Sequence, residues 1–559
     1  MELTEPQRKE IGQHFVLGFH GTEISEEALS LIRTYYVGNI IIMRRNVSSI
    51  DQLQKLILQL QSAAKASGHD QPLMIGIDQE NGLVSAFSST HTKTAGTQFP
   101  GAMALAATGS LETAQSITRA TAQELAMCGI NWAYSPVADV NSNPLNPVIG
   151  VRSFGDDPIK VGHFARAVSD ALTESGVAPC AKHFPGHGDT SVDSHHGLPV
   201  IDKTLVELEA NELVPFRTLV DGKEPVASVM TAHIAMPKAF GNDIPASMSS
   251  SSNIRLLREK LCYAGIIVTD CLEMGAIVDN YGTPKGALES LIAGTDIAMI
   301  CHTYSRQVDS ITATYEAVLD GRLDFAQLEI SGRRIRQFKR RFARNWEAVL
   351  SKKELPSQAL LEKHARLSKD AYLRAITLLS DPKKTLPLPI NSSILLLTPT
   401  IQSLNPAVDD QGVLKTKDGV LRNTAGPSYL AMASVASAYC QLNHVVYSKD
   451  IIINEESIRD VSAVIFVTRN ANQSDWQIKV LQKLIETLPH DTKVVVLASC
   501  GPYDLQASNV IRQKVAYLAS YEFTKPALEA AVGVIFGDHR AQGTLPVQLS
   551  DDNVRSASS

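Results

Sequence analysis

VAPCAKH, residues 177–183, sets five small or apolar residues in a row and then ends on Lys182 and His183. So short and apolar a run suits a strand buried on both faces, as in a parallel sheet covered by helices. Seven more occur in the first 345 residues: HFVLGF (14–19), NIIIM (39–43), LMIGID (73–78), NWAYSPVADV (131–140), ASVMTAHI (227–234), GIIVTD (265–270) and DIAMIC (296–301). Longer segments with helical periodicity separate them, such as 49–67, 111–129 and 160–176, the first opening on Ser49 as N-cap ahead of Asp51. Eight βα units in roughly 330 residues match the requirement of a (β/α)8 barrel of the TIM type. Polar residues stand at or just beyond the carboxyl ends of these runs: Asp78, Lys182, His183, His233 and Asp270. In such a barrel those ends open on one face, where active sites are built.

After the barrel, SGRRIRQFKRRFARNWEAVLSKKEL (331–355) is expected to be helical, its charge run a solvated face rather than a nucleic-acid patch. The strand rhythm resumes with SILLLTP (393–399), VVYS (445–448), AVIFVTR (463–469), KVVVLAS (493–499) and VAYLAS (515–520), predicting a second, doubly wound α/β domain. The expected fold class is therefore α/β, with the barrel over 1–345, a linker helix region over 346–375 and the carboxyl-terminal domain over 376–559. No GxGxxG follows the first strand of that domain, which argues against a dinucleotide, and no cofactor is expected.

Composition narrows the class of partner. With 559 residues, 44% of them hydrophobic and 20% charged, the chain has material for more than one core. A net charge of -6 offers no basic stripe for nucleic acid. The start, MELTEPQRKEIGQHFVLGF, lacks a basic region followed by a long apolar run, and no window approaches the roughly 18 apolar residues of a membrane span. The chain as given reads as cytoplasmic, without a membrane partner, and its oligomeric state stays open. Seven scattered cysteines without a CxxC pair fit reduced thiols.

The loop that follows Lys182, KHFPGHGDTSVDSHHGLPVI (182–201), holds four histidines and fits a metal cage, a catalytic apparatus or a histidine-rich loop equally well. A glycosidase needs one group that attacks or stabilises an oxocarbenium-like centre and a second that protonates the departing oxygen. Asp270, at a strand end, suits the first role. Asp193-Ser194-His195 suits the second, because residues two apart on an extended loop face the same way. A carboxylate on an imidazole fixes its tautomer and supports its protonated form, so His195 can serve as acid and then base near neutral pH.

These residues resemble a known family. KHFPGHGDTSVDSHHGLPVI, VMTAHI (229–234), TDCLEM (269–274), DQENG (78–82) and VRSFGDDP (151–158) closely resemble glycoside hydrolase family 3, and the D-x-H spacing resembles its β-N-acetylglucosaminidase branch. The resemblance covers the barrel and, more loosely, the carboxyl-terminal α/β-sandwich of two-domain members. It implies a retaining exo-hydrolase that removes terminal β-linked N-acetylglucosamine through a covalent glycosyl-enzyme, with a small carbohydrate as its partner. It also implies Asp270 as nucleophile, His195 as acid/base and Asp193 as its dyad partner, with Asp78, Arg152, Lys182 and His183 holding sugar hydroxyls. His187 and Met230 fall in motif positions near the pocket. His187, Asp189 and His196 either brace the loop or touch substrate.

Single-domain relatives commonly read DQEGGRVQR, with arginines where this chain has Leu83 and Ala86, and with glycine in place of Asn81. The missing cations favour chitooligosaccharides or simple glycosides over an anionic muramic acid neighbour. TDC in place of the frequent SDD keeps the nucleophile and drops an adjacent acid. A zinc hydrolase on His183, His187, His195 and His196 is disfavoured, since HxxxH needs a helix that Pro185, Gly186 and Gly188 oppose, and no metal is expected. A substrate-assisted hexosaminidase typically uses an Asp-Glu pair, a dipeptide this chain lacks. A β-glucosidase-like or phosphorolytic family enzyme and an inactive sugar-binding protein on the same fold are the remaining alternatives.

Overall fold

The computed structural model describes residues 2–88, 95–191, 194, 197–222, 224–400, 425–449, 458 and 460–549. Asp193, His195 and His196 of the long loop lie outside the described residues. Among the described residues of the first 300, ten strands form: β1 (Phe15–Leu17), β2 (Asn39–Ile42), β3 (Met74–Ile77), β4 (Gln79–Asn81), β5 (Val84–Ser85), β6 (Trp132–Ala133), β7 (Ala178–Phe184), β8 (Ser228–Thr231), β9 (Ile266–Cys271) and β10 (Ile297–Ile300). Eight of them close a parallel barrel in the order β1-β2-β3-β6-β7-β8-β9-β10, while β4 and β5 make an antiparallel hairpin at its rim. All eight expected strands are present. Helices cover the outside, among them Ile50–Ala66, whose N-cap Ser49 accepts from Gln52 N as its sequence foretold.

Alternation along the strands sorts side chains between two cores. Phe15, Leu17, Ile40, Ile42, Ile75 and Ile77 face the helices, while Val16, Ile41, Met74, Trp132, Met230, Val268 and Met299 fill the interior. Gly76 sits where a Cβ would come within 2.3 Å of the Tyr134 hydroxyl, so this strand carries no side chain inward at that level. The barrel is thus a packed core with a usable opening at its carboxyl-terminal rim.

The basic stretch behaves differently from expectation. It forms the helix Phe325–Phe342 and, after Arg344 at a positive φ of 61°, the short helix Trp346–Leu350. Its charges are not simply solvated. Arg334 pairs with buried Asp296 at 2.7 Å, Arg336 with Glu10 at 2.6 Å, and fully buried Lys339 donates to Gln13 Oε1 at 2.6 Å and to Gly38 O at 2.8 Å. The cations tie this helix to the floor of the barrel because the carboxylates and carbonyls at the strands' amino ends need donors there.

A second sheet follows: β11 (Thr377–Ser380), β12 (Ser393–Pro399), β13 (Gln441–Tyr447), β14 (Ala463–Thr468), β15 (Lys493–Ala498) and β16 (Ala516–Ala519). Its order is β11-β16-β15-β14-β12-β13, parallel except for the edge strand β11, which runs antiparallel to β16. Ile394, Leu396, Ile465, Val467 and Val495 pack on one face and Leu395, Leu397, Val464, Phe466 and Val496 on the other, giving the α/β-sandwich two cores. The second core also takes in Met103, Ala104 and Ala107 of the barrel-side helix Ala102–Ala107, so the two sheets are bridged by apolar packing.

Candidate active site

A cavity of about 890 Å³ opens at the carboxyl ends of the barrel strands. Asp78 follows β3, Glu80 rides on the β4–β5 hairpin, Arg152 ends a short helical turn, Lys182 and His183 stand on β7, Met230 on β8, and Asp270 and Cys271 end β9. The structure therefore brings Asp78, Arg152, Lys182, His183, His187, Met230 and Asp270 around one pocket. Ser194, which lies between Asp193 and His195, lines it too. His233 instead turns into the wall, bonding to Ser247 Oγ at 2.8 Å and the Cys271 carbonyl at 2.9 Å.

Beneath the opening lies a set of four charges, three of them buried. Arg152 grips Glu80 with two bonds, Nε to Oε2 at 2.9 Å and Nη2 to Oε1 at 2.7 Å. Lys182 Nζ lies 2.8 Å from Glu80 Oε1 and 2.7 Å from Asp78 Oδ1. Burial opposes ionisation of Glu80, but Arg152 first and Lys182 next overcome it and hold the carboxyl down at about 2. Burial likewise disfavours charge on Lys182 and Arg152, and their carboxylate neighbours win, raising both. The side chains of Glu80, Lys182 and Arg152 are 5%, 3% and 7% exposed, whereas Asp78 is 34% exposed. Asp78 is thus the most exposed member of the set and is held by Lys182, while Glu80, Arg152 and Lys182 line the same cavity with little free surface.

Asp139, fully buried behind β6, organises the histidines. Its Oδ2 lies 2.7 Å from His183 Nδ1, and its Oδ1 accepts from His183 N at 3.1 Å and His187 N at 2.7 Å. Arg152 Nη2 stands 3.3 Å from His183 Nε2, so the two partners put the ring proton on Nδ1. His187 bonds to Thr190 Oγ1 at 2.8 Å and Ser194 Oγ at 3.2 Å, and burial pushes its imidazole down to about 4. Ala276 N also donates to Ser194 O at 3.1 Å, which anchors the midpoint of the D-x-H segment against the loop after Asp270. Asp270 is partly exposed and accepts from Cys271 N at 2.7 Å. Burial works to raise it, yet His183, His233, that N–H and Lys182 together leave its carboxyl below the ordinary value. A carboxylate held ionised at the mouth of a cavity is equipped to act as a nucleophile or as a stabiliser of positive charge.

The family can now be stated. The amino-terminal domain model of glycosyl hydrolase family 3 matches residues 7–338. The chain belongs to this family. Beta-hexosaminidase A of Pseudoalteromonas piscicida is 30% identical, the match covering 95% of this chain and 92% of that one. A family 3 beta-N-acetylglucosaminidase from Paenibacillus sp. str. FPU-7 superposes with a TM-score of 0.85 at 32% identity, covering 98% of this chain and 99% of that one. A fungal multi-domain family 3 beta-N-acetylglucosaminidase gives a TM-score of 0.88 at 37% identity over 97% of this chain, which spans 61% of the fungal chain.

Within this family 3 pocket several residues go beyond those the sequence singled out. Glu80 and Asp139 are the buried anions on which the cluster depends; both lie inside stretches already notable, DQENG and NWAYSPVADV. The signal for Glu80 was the Asn81-Gly82 pair, at positive φ of 69° and 60°: Asn81 pairs with Val84, Gly82 opens the two-residue turn between them, and Glu80 is left on a rim strand. Leu83 and Ala86 line the cavity as neutral residues, but Arg44 and Arg45, from the segment after β2, bring cations to it from another side. Arg45 donates to Phe19 O at 2.9 Å and Cys301 O at 2.5 Å, and Nη1 lies 3.0 Å from His302 Nδ1. Of the residues once considered for zinc, His183 and His187 are committed to Asp139, Thr190 and Ser194.

Proposed function

We propose that the chain is a retaining exo-β-N-acetylglucosaminidase acting on chitooligosaccharides or simple glycosides. The observation that carries this reading is Asp270, held ionised at the end of β9 and opening on a cavity whose floor is the Asp78–Lys182–Glu80–Arg152 set. Membership of family 3 and relatives named beta-hexosaminidase and beta-N-acetylglucosaminidase support the choice of sugar. Asp78 takes hydroxyls of the terminal sugar, and Asp270 attacks its anomeric carbon as the bond to the departing oxygen breaks. His195, supported by Asp193, gives that oxygen its proton; it then takes one from the water that releases Asp270, and two inversions return the original configuration.

Asp270→Ala should abolish turnover of aryl and oligosaccharide substrates and prevent covalent capture by a 2-deoxy-2-fluoro glycosyl donor. Proton NMR of the wild-type reaction should show the β-anomer released first. Labelling of Asp270→Ala at the wild-type level, or initial release of the α-anomer, would overturn the assignment.

A further inference from the structure

Cys271 ends β9 and Cys301 follows β10, and with His302 they bring two sulfurs and an imidazole nitrogen within 4.8 Å of one another. All three line the cavity beside Asp270. None of them has a part in the proposed hydrolysis. A tetrahedral zinc with sulfurs at about 2.3 Å holds its two thiolates about 3.8 Å apart, so the group needs only a small contraction to enclose an ion.

We propose that Cys271, Cys301 and His302 form a binding site for a thiophilic divalent cation, zinc or cadmium, whose occupation closes the sugar pocket beside Asp270. Three ligands of the soft and borderline kind, with one position left open, favour such ions over magnesium or calcium. The ligands are held in place by the next layer of contacts. Glu273, 3% exposed, accepts from His302 N at 2.5 Å and Thr303 N at 3.0 Å, tying the loop after β10 to the loop after β9. Arg45 sets the cost. Binding at His302 Nδ1 displaces the Arg45 contact, and binding at Nε2 demands a proton on Nδ1, which also breaks it. The freed guanidinium remains beside the site, where with Glu273 it balances a dication held by two thiolates.

Binding of the ion is independent of the proposed activity; only the closing of the pocket rests on it. The experiment uses the untagged, chelator-stripped full chain in a phosphine reductant, titrated with cadmium and followed by the ultraviolet thiolate-to-metal band, with zinc displacing it. One equivalent per chain is expected, kept in Cys262→Ser, the exposed cysteine, and weakened about tenfold or more in Cys301→Ser and in His302→Gln. His302 is exposed, so the second variant stays informative if the first fails to fold. A band that is absent, or unchanged in His302→Gln, overturns the site. Zinc should also inhibit hydrolysis of an aryl N-acetylglucosaminide in wild type, with recovery on chelation, and the His302→Gln enzyme should need about tenfold more zinc for the same inhibition. Stoichiometric binding without inhibition overturns the closing of the pocket while leaving the site. Inactivation by peroxide in metal-free buffer that only reductant reverses, together with no cadmium band, assigns the cysteine pair to disulfide formation instead.

Discussion

Glu80→Gln is the sharpest probe of the buried charge set. Gln stands in for the protonated carboxyl, so the variant measures what ionisation of Glu80 contributes. The shift of that carboxyl from its ordinary 4.5 to about 2 corresponds to about 3 kcal/mol at neutral pH. Removing one partner of a buried ion pair costs about 3–5 kcal/mol by mutation, which agrees in size. The sign follows from the direction of the shift: a carboxyl depressed in the folded state contributes fully above 4.5 and loses that contribution as pH falls through about 2. Wild type should therefore exceed Glu80→Gln by about 3 kcal/mol at pH 7, and by only about 2 kcal/mol near pH 3.5. Urea unfolding followed by fluorescence reads this through Trp132, which is buried in the barrel and packs edge-on against Phe338 with ring centres 5.3 Å apart. Equal urea midpoints at pH 7, or a gap that does not narrow with acid, would refute the argument that Arg152 and Lys182 depend on this anion.

Three further outcomes test the neighbouring contacts. Asp139→Asn takes away the carboxylate that holds both His183 and His187, and kcat/KM on an aryl N-acetylglucosaminide should fall about a hundredfold as the imidazoles shift; a loss under threefold would contradict that role. Tyr503→Phe deletes the hydroxyl that accepts from Asn141 Nδ2 at 2.8 Å, and thermal unfolding should register about 1–3 kcal/mol for the buried amide left without its partner. Exhaustive chelation should not lower the initial rate of hydrolysis, because His183 and His187 are bound to protein partners; loss of activity restored by added zinc would revive a metal-dependent mechanism.

The barrel was legible because its strands are buried on both faces, and runs such as NIII and IIVT leave little other interpretation in so periodic a chain. The sandwich strand SILLLTP appears over its full expected length for the same reason. Elements that failed to announce themselves are ruled by contacts distant in sequence. β11 is four residues long, with Leu378 exposed, and exists because Ala519 and Leu518 offer it an edge. β6 ends at Ala133 as a regular strand, yet Ser135 O and Pro136 O still accept from Cys180 N at 2.8 Å and Lys182 N at 3.1 Å on β7, a pairing that only the fold reveals. The basic helix reads as a solvated face until Asp296 and Gly38 come beneath it. Within the site, charge at the strand ends was visible, but which charges are paired was not. Glu80 and Arg152 are 72 residues apart, and no local pattern joins them.

The same distance effect explains what the second domain does for the pocket. Among the described residues the cavity is lined from Met43 to His302, and none of the sandwich's described residues lines it. It acts one step back. Tyr503 bonds Asn141, Asn472 Nδ2 donates to Pro144 O at 2.9 Å, and Gln473 Nε2 donates to Asn146 O at 3.2 Å. These contacts brace the segment that leads through Val148, whose carbonyl accepts from Arg152 Nη1 at 3.1 Å, into the guanidinium that holds Glu80. Asn146 Nδ2 also donates to the His187 carbonyl at 2.8 Å, so the brace reaches the start of the D-x-H loop. From the other side, Glu522 comes so close to Gly82 that a Cβ there would lie 2.6 Å from its carboxylate, which fits the hairpin carrying Glu80 against the sandwich. Both the cation and the anion at the heart of the site thus rest on the second domain through side chains that reach the segments carrying them, and a chain ending near residue 345 would need other means to hold Arg152 in register with Glu80.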